Sequence, residues 1–158
     1  DITPGTTILD AFKSAVSDSN NIRYSKDGGD LSNSDIIVAV IGEKPYSEGV
    51  GDRDSLHLSD EDIKLIEKVK RSKLPCVVIL ISGRPMIINE VLDESDAFIA
   101  AWLPGTEGLG ISDVIFGDFD FTGRLSMTWP KSMKQIPINY GDSSYDPLFK
   151  FGFGLSYK

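Results

Sequence analysis

The sequence predicts an α/β fold, a three-layer α/β/α sandwich with a mostly parallel sheet. Two observations carry that expectation. Three short runs, DIIVAVI (35–41), PCVVILI (75–81) and DAFIAAW (96–102), are apolar on both faces, as strands covered by helices on both sides must be. Helical patterns alternate with them at the spacing of βαβ units, which make parallel sheets with helices on both faces.

Taken in order, residues 7–16 place Ile8, Ala11, Phe12 and Ala15 on one helical face. IRY (22–24) is a candidate short strand. Residues 60–71 carry Ile63, Ile66 and Val69 on one face, with Ser59 placed to cap the first turn. Acids lead that helix and Lys68, Lys70 and Arg71 close it, matching the helix dipole. Residues 85–92 read as a helix opening on Pro85, whose missing N–H costs nothing in a first turn. A further helix is expected over about 108–116. RLSMTW (124–129) alternates and reads as an edge strand. The last forty residues, rich in glycine, proline and aromatics, read as an extended tail wrapping the sheet edge.

At 158 residues the chain is long enough for one substantial core. Its 16 basic and 24 acidic side chains give a net charge of −8, which argues against nucleic acid and against an anionic membrane surface. The single cysteine, Cys76, rules out an internal disulfide and sits in an apolar run as a small hydrophobe. No run approaches the apolar length of a membrane-spanning helix.

In an open α/β sheet, ligands bind beyond the carboxyl ends of the strands. Three loops leave those ends: GEKPYSEGVGD (42–52), SGRP (82–85) and LPGTEG (103–108). The first is the longest and carries Glu43, Glu48 and Asp52 among glycines. A carboxylate on such a loop can be partly desolvated and so tuned to protonate a leaving group. Residue type alone leaves a solvated acidic loop the simpler reading. Arg84 is placed either to orient a substrate or, the commoner use, to hold neighbouring loops by a bidentate pair. Trp102 either stacks on a sugar ring or, as is usual at a strand end, belongs to the core.

Other chemistries fail on detail. GTEGLG (105–110) lacks the Lys-Ser/Thr of a phosphate loop, and no GxGxxG follows a strand. DFDFTG (118–123) begins like a calcium loop, but its twelfth position is Trp129 rather than glutamate. There is no G-x-S-x-G elbow, and His57 in SLHLSDED reads as a surface or capping residue.

Four segments in order, GEKPYSEGVGD, LISGRP (80–85), AAWLPGTEG (100–108) and FGDFDFTGRLSMTWPKS (116–132), resemble the second, α/β-sandwich domain of glycoside hydrolase family 3. The similarity runs from TTILDAFKSAV (6–16) to FKFGFGLSY (149–157) and is strongest to the exo-glucanase branch. The resemblance implies that the glutamate after Pro45-Tyr46-Ser47, Glu48, is the acid/base of a retaining β-glucosidase or exo-β-glucanase. Tyr46, Asp52, Arg53, Arg84 and Trp102 are then its substrate-binding or loop-supporting neighbours. It implies an aspartate nucleophile on a preceding (β/α)₈ barrel, a β-glucan or β-glucoside substrate, no metal or organic cofactor, and a secreted or periplasmic location with the cytoplasm left open. Residues 1–158 are then a partial sandwich domain lacking its family's first strand and the barrel. Two competing readings are a non-catalytic carbohydrate-binding or scaffold module and a nucleotide-binding α/β domain, the latter already weakened by the absent glycine fingerprints.

Overall fold

The computed structural model describes residues 3–47 and 49–157. Three parallel strands, β1 (Ile37–Gly42), β2 (Cys76–Ile81) and β3 (Ala97–Trp102), form a sheet in the order β1-β2-β3. The helices are α1 (Ile8–Ala15), α2 (Asp60–Arg71), α3 (Asn89–Asp93) and α4 (Gly108–Phe116).

Alternation along the strands sorts two cores. Ala39, Ile41, Val78 and Leu80 point to one face, where Ile66 and Val69 of α2 and Val91 of α3 cover them. Ile79 points to the other, against Phe12 of α1 and Ile111 of α4, with Val38, Ile81, Ile99 and Ala101 around them. A three-layer sandwich results because β2 is apolar on both faces and needs cover on both. The helix ends follow local chemistry. Ser59 Oγ accepts from the Asp62 N–H at the start of α2, and Thr7 Oγ1 accepts from the Asp10 N–H at the start of α1. Among the described residues no helix is long and apolar enough to cross a membrane.

Three sequence expectations need correction. The segment 124–129 does not join the sheet. It bends at Ser126–Met127 and pairs instead with the tail, through Leu125 N–H to Phe153 O (2.9 Å) and Trp129 N–H to Phe149 O (2.9 Å). Its tryptophan is a core position all the same, since Trp129 is 2% exposed and its indole N–H donates to Met86 O at 2.8 Å. Residues 22–24 form no strand. Arg23 there turns onto the following loop, donating to Ser34 Oγ at 2.6 Å and to the Ser32 carbonyl. The helix expected over 85–92 is confined to Asn89–Asp93. Pro85 lies outside it because Ile87 is held extended, its N–H donating to Leu56 O at 2.8 Å.

The tail, 3₁₀ turn Met133–Gln135 apart, is irregular, as its glycine, proline and aromatic content suggests. Trp129 packs on Trp102 (ring centroids 5.8 Å) and on Phe149 (6.3 Å), so the tail closes the α2/α3 face of the core.

The two-sided burial of β2 makes a direct prediction. Leu80→Ala, at a site with 0% exposure, should cost about 2–5 kcal/mol. Val40→Ala on β1, 44% exposed, should stay within roughly 0.5 kcal/mol. Urea denaturation of the two variants checks this, and equal losses would contradict the assigned faces.

Candidate functional site at the carboxyl rim

Gly42 pairs with Ile81, and Ile81 with Trp102, so the three strands end side by side. The loops that leave them share one rim. Between the pairs Leu80–Ala100 and Ile81–Trp102 the register shifts, leaving Ala101 as the extra residue of a bulge on β3, and Trp102 takes φ 55 at the same point. Bulges re-aim a chain, and here the change falls where β3 turns out toward the rim. Ser82 N–H donates to Trp102 O at 3.2 Å, linking the second rim loop to the third.

Glu43 is the first residue after β1, and its backbone N–H still donates to Ile81 O at 3.0 Å. Its side chain is only 5% exposed. A carboxylate so placed needs charged or hydrogen-bonding partners, because burying it alone is costly. Arg84 supplies them. Its Nε and Nη2 donate to Glu43 Oε1 at 3.1 and 2.8 Å, and Nη2 also donates to the Gly51 carbonyl at 2.8 Å. The guanidinium lies over the Tyr46 ring, 4.6 Å from its centroid, a cation–π contact. Tyr46 Oη in turn donates to Glu43 Oε2 at 3.1 Å. Arg53 Nη1 stands 3.6 Å from Glu43 Oε1, while its other nitrogens donate to Ser55 O (2.5 Å) and His57 O (2.7 Å).

These contacts explain the glycines of the loop. A Cβ on Gly51 would lie 2.2 Å from the Tyr46 ring, and one on Gly83 would lie 2.8 Å from the Tyr46 hydroxyl. Only glycine lets the ring pack that closely. Gly51 N–H also donates to Ser47 O at 3.0 Å and Asp52 N–H to Gly49 O at 3.2 Å. The backbone on either side of position 48 is thereby tied down.

The electrostatics agree with this packing. Loss of water around the Tyr46 hydroxyl, then its donation to Glu43 and that carboxylate's charge, hold the phenol above its usual value, so it remains a donor. The hydrogen bond to Glu43 leads in raising Arg84 further. Asp62, in the first turn of α2, is raised chiefly by burial. Bonds from Ser59 and the Gly42 backbone oppose that, and Glu61 adds to it.

The sequence-predicted residues thus separate. Tyr46, Arg53 and Arg84 converge on Glu43, while Asp52 is exposed beside them. Trp102 belongs to the edge of the core, packed on Trp129. Glu48 lies outside the described residues. His57 borders a cavity of about 50 Å³, far smaller than a sugar site. The GTEGLG turn is built into the fold, with Gly108 N–H donating to Thr6 O and Thr6 N–H to Thr106 O, both at 3.0 Å. Asp120 is a hydrogen-bond acceptor for the Tyr157 N–H at 2.7 Å.

Glu43 is the residue that sequence reasoning underrated. Its signal was position, an acid directly after a strand-ending glycine and facing an arginine on the neighbouring rim loop.

Residues 2–157 match the model of the glycosyl hydrolase family 3 C-terminal domain. The chain belongs to this family. Among solved structures, the family 3 chain is similar to an exo-1,3/1,4-beta-glucanase from a Pseudoalteromonas species. The TM-score is 0.90 and the identity 40%, over 98% of this chain and 21% of that one. A beta-glucosidase from Listeria innocua in complex with isofagomine gives a TM-score of 0.83 at 25% identity, over 97% of this chain and 26% of that one. Among curated relatives, a beta-xylosidase of Formosa agariphila is 33% identical over 96% of this chain and 25% of its own length. A periplasmic beta-glucosidase of Salmonella typhimurium is 32% identical over 78% of this chain and 19% of its own. The family 3 chain therefore spans about a quarter, or less, of the relatives it matches.

The site yields two predictions of its own. Glu43→Gln weakens the pair that neutralises Arg84 and should cost about 3 kcal/mol, the low end for a broken buried pair because Arg84 keeps 25% exposure. Equilibrium unfolding measures it, and a loss under about 0.5 kcal/mol, as at an exposed pair, would remove Glu43 from its central place. For Asp62, a raised folded pKa means that the folded state binds the proton more tightly than the unfolded chain. Its contribution is therefore fully present below the unfolded carboxylate pKa and lost as pH rises through the higher folded one. Relative to Asp62→Asn, the parent should gain stability as pH falls through that window; a pH-independent difference in urea midpoint would contradict this.

Proposed function

We propose that this chain is the acid/base-bearing domain of a retaining β-glucosidase or exo-β-glucanase, acting on terminal β-D-glucosyl residues of β-glucans or their oligosaccharides. The observation that carries the reading is the Pro45-Tyr46-Ser47-Glu48 run on a rim loop clamped by Arg84 and Glu43, in a chain that belongs to family 3. Relatives named as glucanase, glucosidases and xylosidase support the reaction class.

Glu48 is the proton donor and later the base for water. The partner is a domain of the same protein, a barrel carrying an aspartate nucleophile. In a retaining mechanism the nucleophile attacks the anomeric carbon while the acid protonates the departing oxygen, and water then hydrolyses the glycosyl-enzyme ester. The two carboxyls must stand about 5–5.5 Å apart. Support for a partner at this rim comes from its exposed apolar side chains, Val50 (82%), Leu103 (70%) and Tyr46 (43%), since a cluster of that kind marks an interaction face. Asp52 and Arg53 support the loop. Tyr46 and Arg84 shape it, and Trp102 backs the rim from the core side. An exported location is the reading supported by the relative named periplasmic.

Two measurements test the reading. The isolated chain, holding an acid but no nucleophile, should not hydrolyse aryl β-glucosides; turnover that vanishes in Glu48→Gln would contradict that. In the full-length enzyme, Glu48→Ala should slow substrates with poor leaving groups by about 10²–10⁴-fold and activated aryl glucosides far less, with rate restored by azide. Equal losses on both, without rescue, would make Glu48 a structural residue.

A further inference from the structure

We propose that Arg84, with Glu43, is a positioning residue for Glu48 and sets the trajectory of proton donation; the proposal rests on the acid/base reading of Glu48. The geometry is specific. One planar cation binds the carboxylate that follows β1, the carbonyl of Gly51 on the far limb of the loop, and the face of Tyr46 between them. Arg84 itself is fixed to the end of β2, its own carbonyl accepting from Ser82 Oγ at 2.8 Å. Ser82 is 2% exposed and its N–H donates to Trp102 O. The clamp therefore refers the loop to all three strand ends.

Along the chain, the clamped residues Tyr46 and Gly51 flank position 48. Ser47 O and Gly51 N–H are joined directly, and Gly51 is held by Arg84 at its carbonyl and packed closely against the Tyr46 ring. A loop with glycines at 49 and 51 has high conformational freedom when unclamped. A proton donor must be held within a fraction of an ångström of its line, and a 1 Å displacement costs on the order of 10²-fold in rate. Arg84 Nε and Nη2 are committed to protein acceptors, so the arginine acts through the loop. Lysine cannot reproduce this, because it offers a point charge rather than a planar fork and has no flat face for Tyr46.

The experiment uses the full-length enzyme and aryl β-glucosides spanning a range of leaving-group pKa. Arg84→Lys should lower kcat/KM for poor leaving groups by on the order of 10²-fold and leave activated substrates within about threefold, steepening the leaving-group dependence. Combined with Glu48→Ala, it should add almost nothing, because no donor remains to be positioned. Gly51→Ala pushes the loop through the Tyr46 ring without unpairing a buried charge, and should show the same steepening even if Arg84→Lys folds poorly. A uniform loss across leaving groups in both variants, or full additivity with Glu48→Ala, would overturn the proposal. A flat leaving-group dependence in Glu48→Ala would overturn the acid/base reading beneath it and the proposal with it, so the two failures are distinguishable.

Discussion

The pair between Glu43 and Arg84 is the constraint on which the rim depends. A carboxylate with 5% of its side chain exposed sits where a strand becomes a loop, and only a well-matched cation makes that placement tolerable. Arginine meets the need because its fork serves two acceptors and its face serves an aromatic ring. From that one contact follow the closure of the loop onto Gly51, the inward hydroxyl of Tyr46, the glycines beneath the ring and the approach of Arg53. The ends of β1 and β2 are joined by charge as well as by their ladder.

The rest of the fold supplies a stiff base for that clamp. β2 is buried on both faces, and its last residues place Ser82 and Arg84 with little freedom. The bulge opposite Ile81 and the left-handed backbone of Trp102 turn β3 outward at the same level. Trp102 then leans on Trp129, so the irregular tail contributes to the core behind the rim. In the proposed enzyme this division suits a reaction shared between domains. A proton donor carried on one body and a nucleophile on another must both be held firmly, since their separation decides the outcome.

How much of this was legible in the sequence depended on the range of the interactions. The three strands and the helices over 8–15, 60–71 and 108–116 were readable because periodicity and capping are local properties. Pro85 misled because a proline suits a first helical turn equally well as an extended segment, and a backbone bond from Ile87 to Leu56 decided the matter. RLSMTW alternated as a strand does. Its partner was the tail, about twenty-five residues on, and nothing in six residues names a partner. The site was legible as a list of residues, with Arg84 already a candidate for holding loops. Glu43 was hidden because its importance comes from burial, which residue type does not reveal.

By itself the sequence determined the three-layer architecture, the strands apolar on both faces, the location of the rim and the motif from which Glu48 is proposed as the acid/base. Those depend on side-chain period, on handed βαβ connections and on a run of neighbouring residues, all of which are written along the chain. Tertiary structure decided which acid anchors the loop, which cation closes it and where the tail lies. Glu43 and Arg84 are 41 residues apart, and their contact exists only because two parallel strands end side by side. Charge pairing across that distance is a consequence of the fold, and the fold had to be in hand before the loop could be understood as a clamped one.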